Sequence, residues 1–384
     1  MKRARTFAFV MVIAAAGVAA VFSAAFAARS ASVPAWDARR AAAYLDQRQS
    51  WWESWKRASR DHGTVCVSCH TALPYALVRP ELRQALHESD TAAAERKLVA
   101  DVVTRVRAWA VVAPFYGDTT AAGRPKAIQS RGTESVLNAL ILASRDERTG
   151  TVSPEARQAF ANMFALQKTT GDDAGSWAWL NFGLRPWETA GAAYFGAALA
   201  AVAVGREPGG YAQSAEIKPN MDRLREYLCT HLDQTLWNRL LLRDDPNLFN
   251  RAMLLWASAR IPTLITDAER RAIVGALFAA QEADGAWRLA SLGRWRVRAA
   301  AADSAGDGYA TGLIAYALEE SGTPPNEPHL GRALAWLAAH QDASTGAWPA
   351  SSLNKERDPQ SNVGKFMTDA ATAYAALALT RAQR

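Results

Sequence analysis

Three segments of the chain carry one short pattern: Gln167 to Trp177 across Gly171-Asp172-Asp173-Ala174-Gly175, Gln281 to Trp287 across Asp284-Gly285, and Gln341 to Trp348 across Asp342 and Gly346. Each is a glutamine, a Gly/Asp turn and a tryptophan. A weaker copy, His231 to Trp237, keeps the tryptophan. A helix of small residues follows each one. Anchored at Thr133, Thr189, Asn250, Thr311 and Thr372, these helices step by 56, 61, 61 and 61 residues, and a further step of 62 back from Thr133 reaches Thr71. Ala41 to Trp55 supplies one more amphipathic helix ahead of them. The result is six helical hairpins with a period of about 60 residues. A unit of that kind cannot bury its apolar face alone and must stack on its neighbours.

The pattern inside each unit is helical. Alternating β-branched runs are scarce, while apolar spacings of three and four recur, so the fold class is all-α. Ser153-Pro154-Glu155 reads as an N-cap with proline at the first helical position, leading to Phe160, Phe164 and Gln167. Thr266 to Glu269 is a capping box that opens a helix through Ile273, Leu277 and Gln281. A third helix carries Leu330, Leu334, Leu337 and Gln341. With 49% hydrophobic residues, 14 tryptophans and only three cysteines, stability must come from packed helices and not from a disulfide scaffold.

The Gln, Gly, Trp element resembles the QW repeats of squalene-hopene cyclases and of the related prenyltransferase β subunits. That resemblance covers roughly residues 35 to 384 and implies an (α/α)6 toroid, with the small-residue helices inside and the amphipathic ones outside. It also implies that residues just before the inner helices, among them His70, Arg131, Glu188, Asp307 and Asp369, gather at one mouth. Cyclases of this family protonate an alkene with a D-x-D-D motif, which this chain lacks. Asp172-Asp173 and the pair Asp303 and Asp307 read as turn and capping residues, so terpene cyclisation is not expected.

Chemistry-bearing side chains cluster at one place, Cys66-Val67-Ser68-Cys69-His70, a C-x-x-C-H run that opens the first inner helix. In c-type haem attachment two thiols add to the porphyrin vinyl groups and the following histidine is the proximal iron ligand. Cysteines three apart on a helical turn would present both sulfurs to one edge of the macrocycle. A disulfide, a thioredoxin-like redox pair and a zinc site at Cys66, Cys69 and His70 are the competing readings, the zinc site needing a fourth ligand. Zinc through Asp, Cys and His is also what the prenyltransferase resemblance implies. Two further residues complete the expected site. Met367, five before Thr372, is placed either as the sixth iron ligand or as packing under the rim, and Arg131 as a propionate partner.

Met1-Lys2-Arg3-Ala4-Arg5 is followed by an uncharged run from Thr6 to Ala28, and Ala25-Phe26-Ala27 has the form of a signal-peptidase site. Residues 1–27 therefore read as a signal peptide, or as an uncleaved anchor. Either places residues 35–384 in the periplasm or on the outer face of the inner membrane, where haem c is attached. Removing three basic residues from a net charge of +7 leaves about +4, without basic blocks, which argues against nucleic acid. The expectation is an exported c-type haem protein, acting in electron transfer or in haem-dependent redox chemistry, with a redox partner or a small apolar substrate. An isoprenoid cyclase or transferase with zinc, and a binding module with structural haem, are the alternatives.

Overall fold

The computed structural model describes residues 35–117, 126–241, 247–293, 295 and 306–384, with side chains omitted for 233–241. The segment 1–27, Asp303 and the side chain of Trp237 lie outside the described residues. Among those residues there are twelve α-helices and no strand, only two isolated bridges. The all-α expectation is met.

Six helices bury their described side chains along one side only: α1 (Ala38–Ser54), α3 (Ala93–Arg107), α5 (Pro154–Ala165), α7 (Lys218–Leu241), α9 (Asp267–Ala279) and α11 (Pro328–Ala339). They alternate with α2 (Ala72–Ala85), α4 (Lys126–Thr149), α6 (Ala193–Arg206), α8 (Leu248–Arg260), α10 (Gly308–Glu320) and α12 (Phe366–Arg381). The second set is buried almost all round. Twelve of the fourteen residues of α6 are buried, whereas α9 buries only Ile273 and Leu277. Contacts within that set run α2 to α4, α6, α8, α10 and α12, and α12 returns to α2.

Small residues make the close approach possible. A Cβ on Gly312 of α10 would lie 2.5 Å from the Ala375 nitrogen of α12, and one on Gly308 would lie 3.4 Å from the Ala371 Cβ. Both pairs advance in the same direction, so α10 and α12 are parallel. Phe195 and Gly205 of α6 meet Phe249 and Arg260 of α8 in the same sense. Between these helices the space is filled by aromatic rings. Trp256 meets Tyr316 and Tyr374, and Tyr309 meets both Tyr374 and Trp187.

The repeated glutamine and tryptophan are ties between units. Trp177, Trp287 and Trp348 are buried, and their indole N–H groups donate to Met163, Leu277 and Leu337 carbonyls in the last turns of α5, α9 and α11. Gln167 Nε2 donates both to Gly175 O in its own turn and to Asn220 O in α7. Gln281 repeats this with Gly285 O and His329 O. Gln341 repeats it with Gly346 O and, across 304 residues, with Asp37 O at the cap of α1. The turn glycine adopts positive φ each time, 97° at Gly285, and has no room for a side chain because Arg332 Cβ would stand 2.9 Å away. The fourth copy differs: α7 continues as helix through His231 to Trp237, where neither glycine nor proline interrupts it.

The start of each small-residue helix also differs from the anchors. α4 begins at Lys126, well before Thr133, while α6 begins at Ala193 after a short 3-10 turn. α12 starts at Phe366, which puts Met367 and Asp369 inside its first turn. At the opposite end, carboxylates and arginines interlock. Arg206 and Arg260 share Glu147 at 2.8 and 2.5 Å, and Arg260 and Arg381 share the buried Glu320.

Candidate functional site

The C-x-x-C-H segment reaches the site as extended chain and turn. Cys66 N–H donates to Ala58 O at 2.9 Å, and the Trp52 indole donates to Cys66 O at 2.8 Å. Ser68 Oγ then accepts from Thr71 N and Ala72 N, two N–H groups at the start of α2, which begins at Ala72, after the motif. The expected placement of both cysteines on one helical turn is therefore corrected.

Both thiols are buried and neither forms a disulfide. Burial pushes the Cys66 thiol up to about 11, and burial together with Glu188 pushes Cys69 well up. Raised thiols are the opposite of what a thioredoxin-like pair needs. Among the described residues no three His, Cys, Asp or Glu side chains converge as a metal site would require, so Cys66, Cys69 and His70 do not form a zinc tripod as they stand.

His70 is held among rings. Phe366 of α12 stacks on it at 3.9 Å, Trp52 meets it edge-on at 5.1 Å, and Trp187 lies at 6.4 Å. Burial first, then Arg48 and Arg357, lower its pKa to about 3, so the imidazole is neutral at ordinary pH. Its Nδ1 lies 2.8 Å from Thr71 Oγ1, which donates to Asp369 Oδ2 at 2.7 Å. Asp369 also accepts from Tyr44 and from two nitrogens of Arg48. Burial pushes this carboxyl up, opposed by four donated hydrogen bonds, two of them from the Arg48 guanidinium, a pairing that favours the ionised form.

A cavity of about 60 Å³ opens beside His70. Met367 and Glu188 line it with His70, so the structure brings these three together as the spacing implied. Burial raises Glu188 to about 7. Asp307 serves as the N-cap of α10, accepting from Ala310 N, which matches its expected capping role. Arg131 does not join them. Lying in the second turn of α4, it is absent from the cavity lining, stacks on Trp109 at 4.6 Å, donates to Val112 O and lies 3.8 Å from Glu134. His62 is exposed and pairs with Asp61.

Two arginines that the sequence reading missed face the cavity instead, Arg185 and Arg357. Among the described residues neither has an ion-pair partner. They come from irregular segments, 181–189 and 349–365, which Asn354 joins by two hydrogen bonds to the Arg185 backbone. No local pattern could have signalled this, because the segments are 169 residues apart.

The donor types are those a covalently held haem would use: two thiols free of disulfides, a neutral imidazole, a thioether and two guanidinium groups without an ion-pair partner among the described residues, although Cys66 and Cys69 do not line the cavity. The enclosed space is smaller than the roughly 300–1,000 Å³ of ordinary ligand pockets. A second cavity of about 260 Å³ shares Ser352, Arg357 and Gly364 with the first. The wall between them is the 349–365 segment, which a macrocycle bound at His70 would have to displace. Compared with known proteins, the chain matches no family and no curated sequence.

Proposed function

We propose that this chain is an exported c-type haem protein built on an (α/α)6 toroid. Cys66 and Cys69 carry the thioethers and His70 is the proximal ligand. The single observation that supports this reading best is the company His70 keeps: a neutral imidazole, two buried unpaired thiols just before it, and Met367, Arg185 and Arg357 around one cavity. The toroid is supported by the contact circuit that returns from α12 to α2 and by the Gln341 tie, which repeats between α11 and α1 what Gln281 does between α9 and α11. Export is supported by residues 1–27 as sequence, with three basic residues, an uncharged run and Ala25-Phe26-Ala27.

When bound, the haem supplies a one-electron iron couple. The chain does the rest. Trp52, Trp187 and Phe366 exclude water from the His70 side, which disfavours charge there. Arg185 and Arg357 offer guanidinium forks to the porphyrin carboxylates, which suits planar bidentate pairing. Met367, which lines the cavity with His70, would bind the iron if the protein is an electron carrier and would stay in the wall if it is a haem enzyme.

The test is the intact mass of the mature chain made in a host with haem c maturation, measured after denaturation. One haem retained on the polypeptide is expected, and lost when Cys66 and Cys69 are both changed to alanine. A mass equal to the bare polypeptide would overturn the reading.

A further inference from the structure

The hydrogen-bond chain from His70 assigns the proton on the imidazole. Thr71 has one hydroxyl proton, and Oγ1 gives it to Asp369 Oδ2 at 2.7 Å. Asp369 is unable to return a proton, because both of its oxygens already accept, Oδ1 from Tyr44 and Arg48 Nε and Oδ2 from Arg48. Thr71 Oγ1 can then only accept from His70 Nδ1 at 2.8 Å, so Nδ1 carries the hydrogen and Nε2 keeps its lone pair.

We propose that Asp369, acting through Thr71, is a positioning residue that fixes which nitrogen of His70 is free to bind metal and how strongly that nitrogen donates. The strength follows from the same geometry. A carboxylate that pulls on the Nδ1 proton through a hydroxyl gives the imidazole more imidazolate character and raises its basicity as a ligand. Asp369 is itself held rigidly. It is 1% exposed, and Arg48, at 2.6 Å, is anchored in turn by Asn362 through its other two nitrogens. The parts come from opposite ends of the chain: Tyr44 and Arg48 from α1, Thr71 from the start of α2, and Asp369 from α12. Ligand strength at His70 thus depends on contacts between the first and last hairpins. The ligand part of this inference rests on the haem reading, while the tautomer part stands without it.

Two measurements separate them. In the haem-free full-length chain labelled with ¹⁵N-histidine, long-range proton–nitrogen correlation spectra read the His70 tautomer directly. The parent is expected as Nδ1–H only, against the ordinary preference of a free imidazole for Nε2–H. Thr71→Val keeps the shape and removes the link, so the Nε2–H form should grow in, and Thr71→Ser should restore the parent pattern. An Nε2–H parent, or a Thr71→Val protein that stays purely Nδ1–H, overturns the proposal. In the haem-loaded protein Thr71→Val should shift the midpoint potential to more positive values, because a weaker donor favours ferrous iron. An unchanged potential overturns the ligand-strength claim. A chain that takes no haem yet shows the Thr71-dependent tautomer defeats the functional reading and leaves the positioning role in place.

Discussion

Gln341→Ala tests whether the array is closed, and its cost can be worked from the bonds it removes. Gln341 Nε2 donates to Gly346 O at 2.9 Å and to Asp37 O at 2.9 Å, and its Oε1 accepts from Asp37 N at 2.7 Å. A typical intramolecular hydrogen bond contributes about 0.5–1.5 kcal/mol net. The Asp37 backbone is exposed and can turn to water, so the lower half of that range applies, and the three together amount to about 2 kcal/mol. Gln281→Ala is the internal reference. It loses the Gly285 and His329 carbonyls and the Arg332 guanidinium, also three bonds, in the middle of the array. In an open stack the terminal unit frays, and a tie between the last and first hairpins would contribute little to global unfolding. In a closed one the two substitutions should cost the same within about 0.5 kcal/mol. Urea unfolding followed by tryptophan fluorescence gives both values from the midpoint and slope. Full cost for Gln281→Ala with none for Gln341→Ala would refute closure.

Two further outcomes follow from buried charges. Glu134, fully buried, takes two bonds from Arg105 at 2.5 and 3.1 Å, and Arg105 also reaches Thr64 and the Ala113 carbonyl; Glu134→Leu should cost about 3–5 kcal/mol in urea unfolding, and adding Arg105→Met should recover most of it, whereas simple additivity of the two losses would show that the pair is not coupled. Glu319 has no hydrogen-bond partner for either carboxylate oxygen among the described residues, and burial raises it to about 9. Between the unfolded value near 4.5 and about 9 the folded state holds a proton that the unfolded state has lost, so stability should fall with rising pH across that window, with a limiting slope of about 1.4 kcal/mol per pH unit, and level off above it. Glu319→Gln should flatten this dependence, and a parent profile equal to that of the variant would count against the buried acid.

The sequence was most legible where structure is local or periodic. Ser153 and Thr266 cap the helices they were expected to cap, and the Gln and Trp positions at 167, 281 and 341 do one job three times because a fixed period forces each unit to meet its neighbour alike. His70 and Met367 came together for the same reason. Arg131 does not line the cavity with them, because the anchor at Thr133 lies inside α4, which begins at Lys126, and the guanidinium stacks on Trp109. Arg185, Trp187 and Arg357 were invisible because irregular segments have no period, and their positions are set by contacts such as Asn354 with Arg185. Asp369 was placed at the mouth, but its bond to Thr71 depends on side-chain direction, which spacing alone does not give.

The cover over His70 comes from α12, through Phe366, Met367 and Asp369, while the C-x-x-C-H segment lies some 300 residues earlier. During synthesis, therefore, the thiols emerge long before the residues that cover His70. Until the final helix arrives, Cys66, Cys69 and His70 lie along an unfinished edge with no Phe366 against the imidazole and no 349–365 segment beside it. Under the haem reading, that interval is when a macrocycle could be attached without prising anything apart, and docking of the last hairpin would then seal it in. In the completed chain the cavity beside His70 is only about 60 Å³, so a haem offered to the finished fold would have to displace the 349–365 segment and should enter slowly.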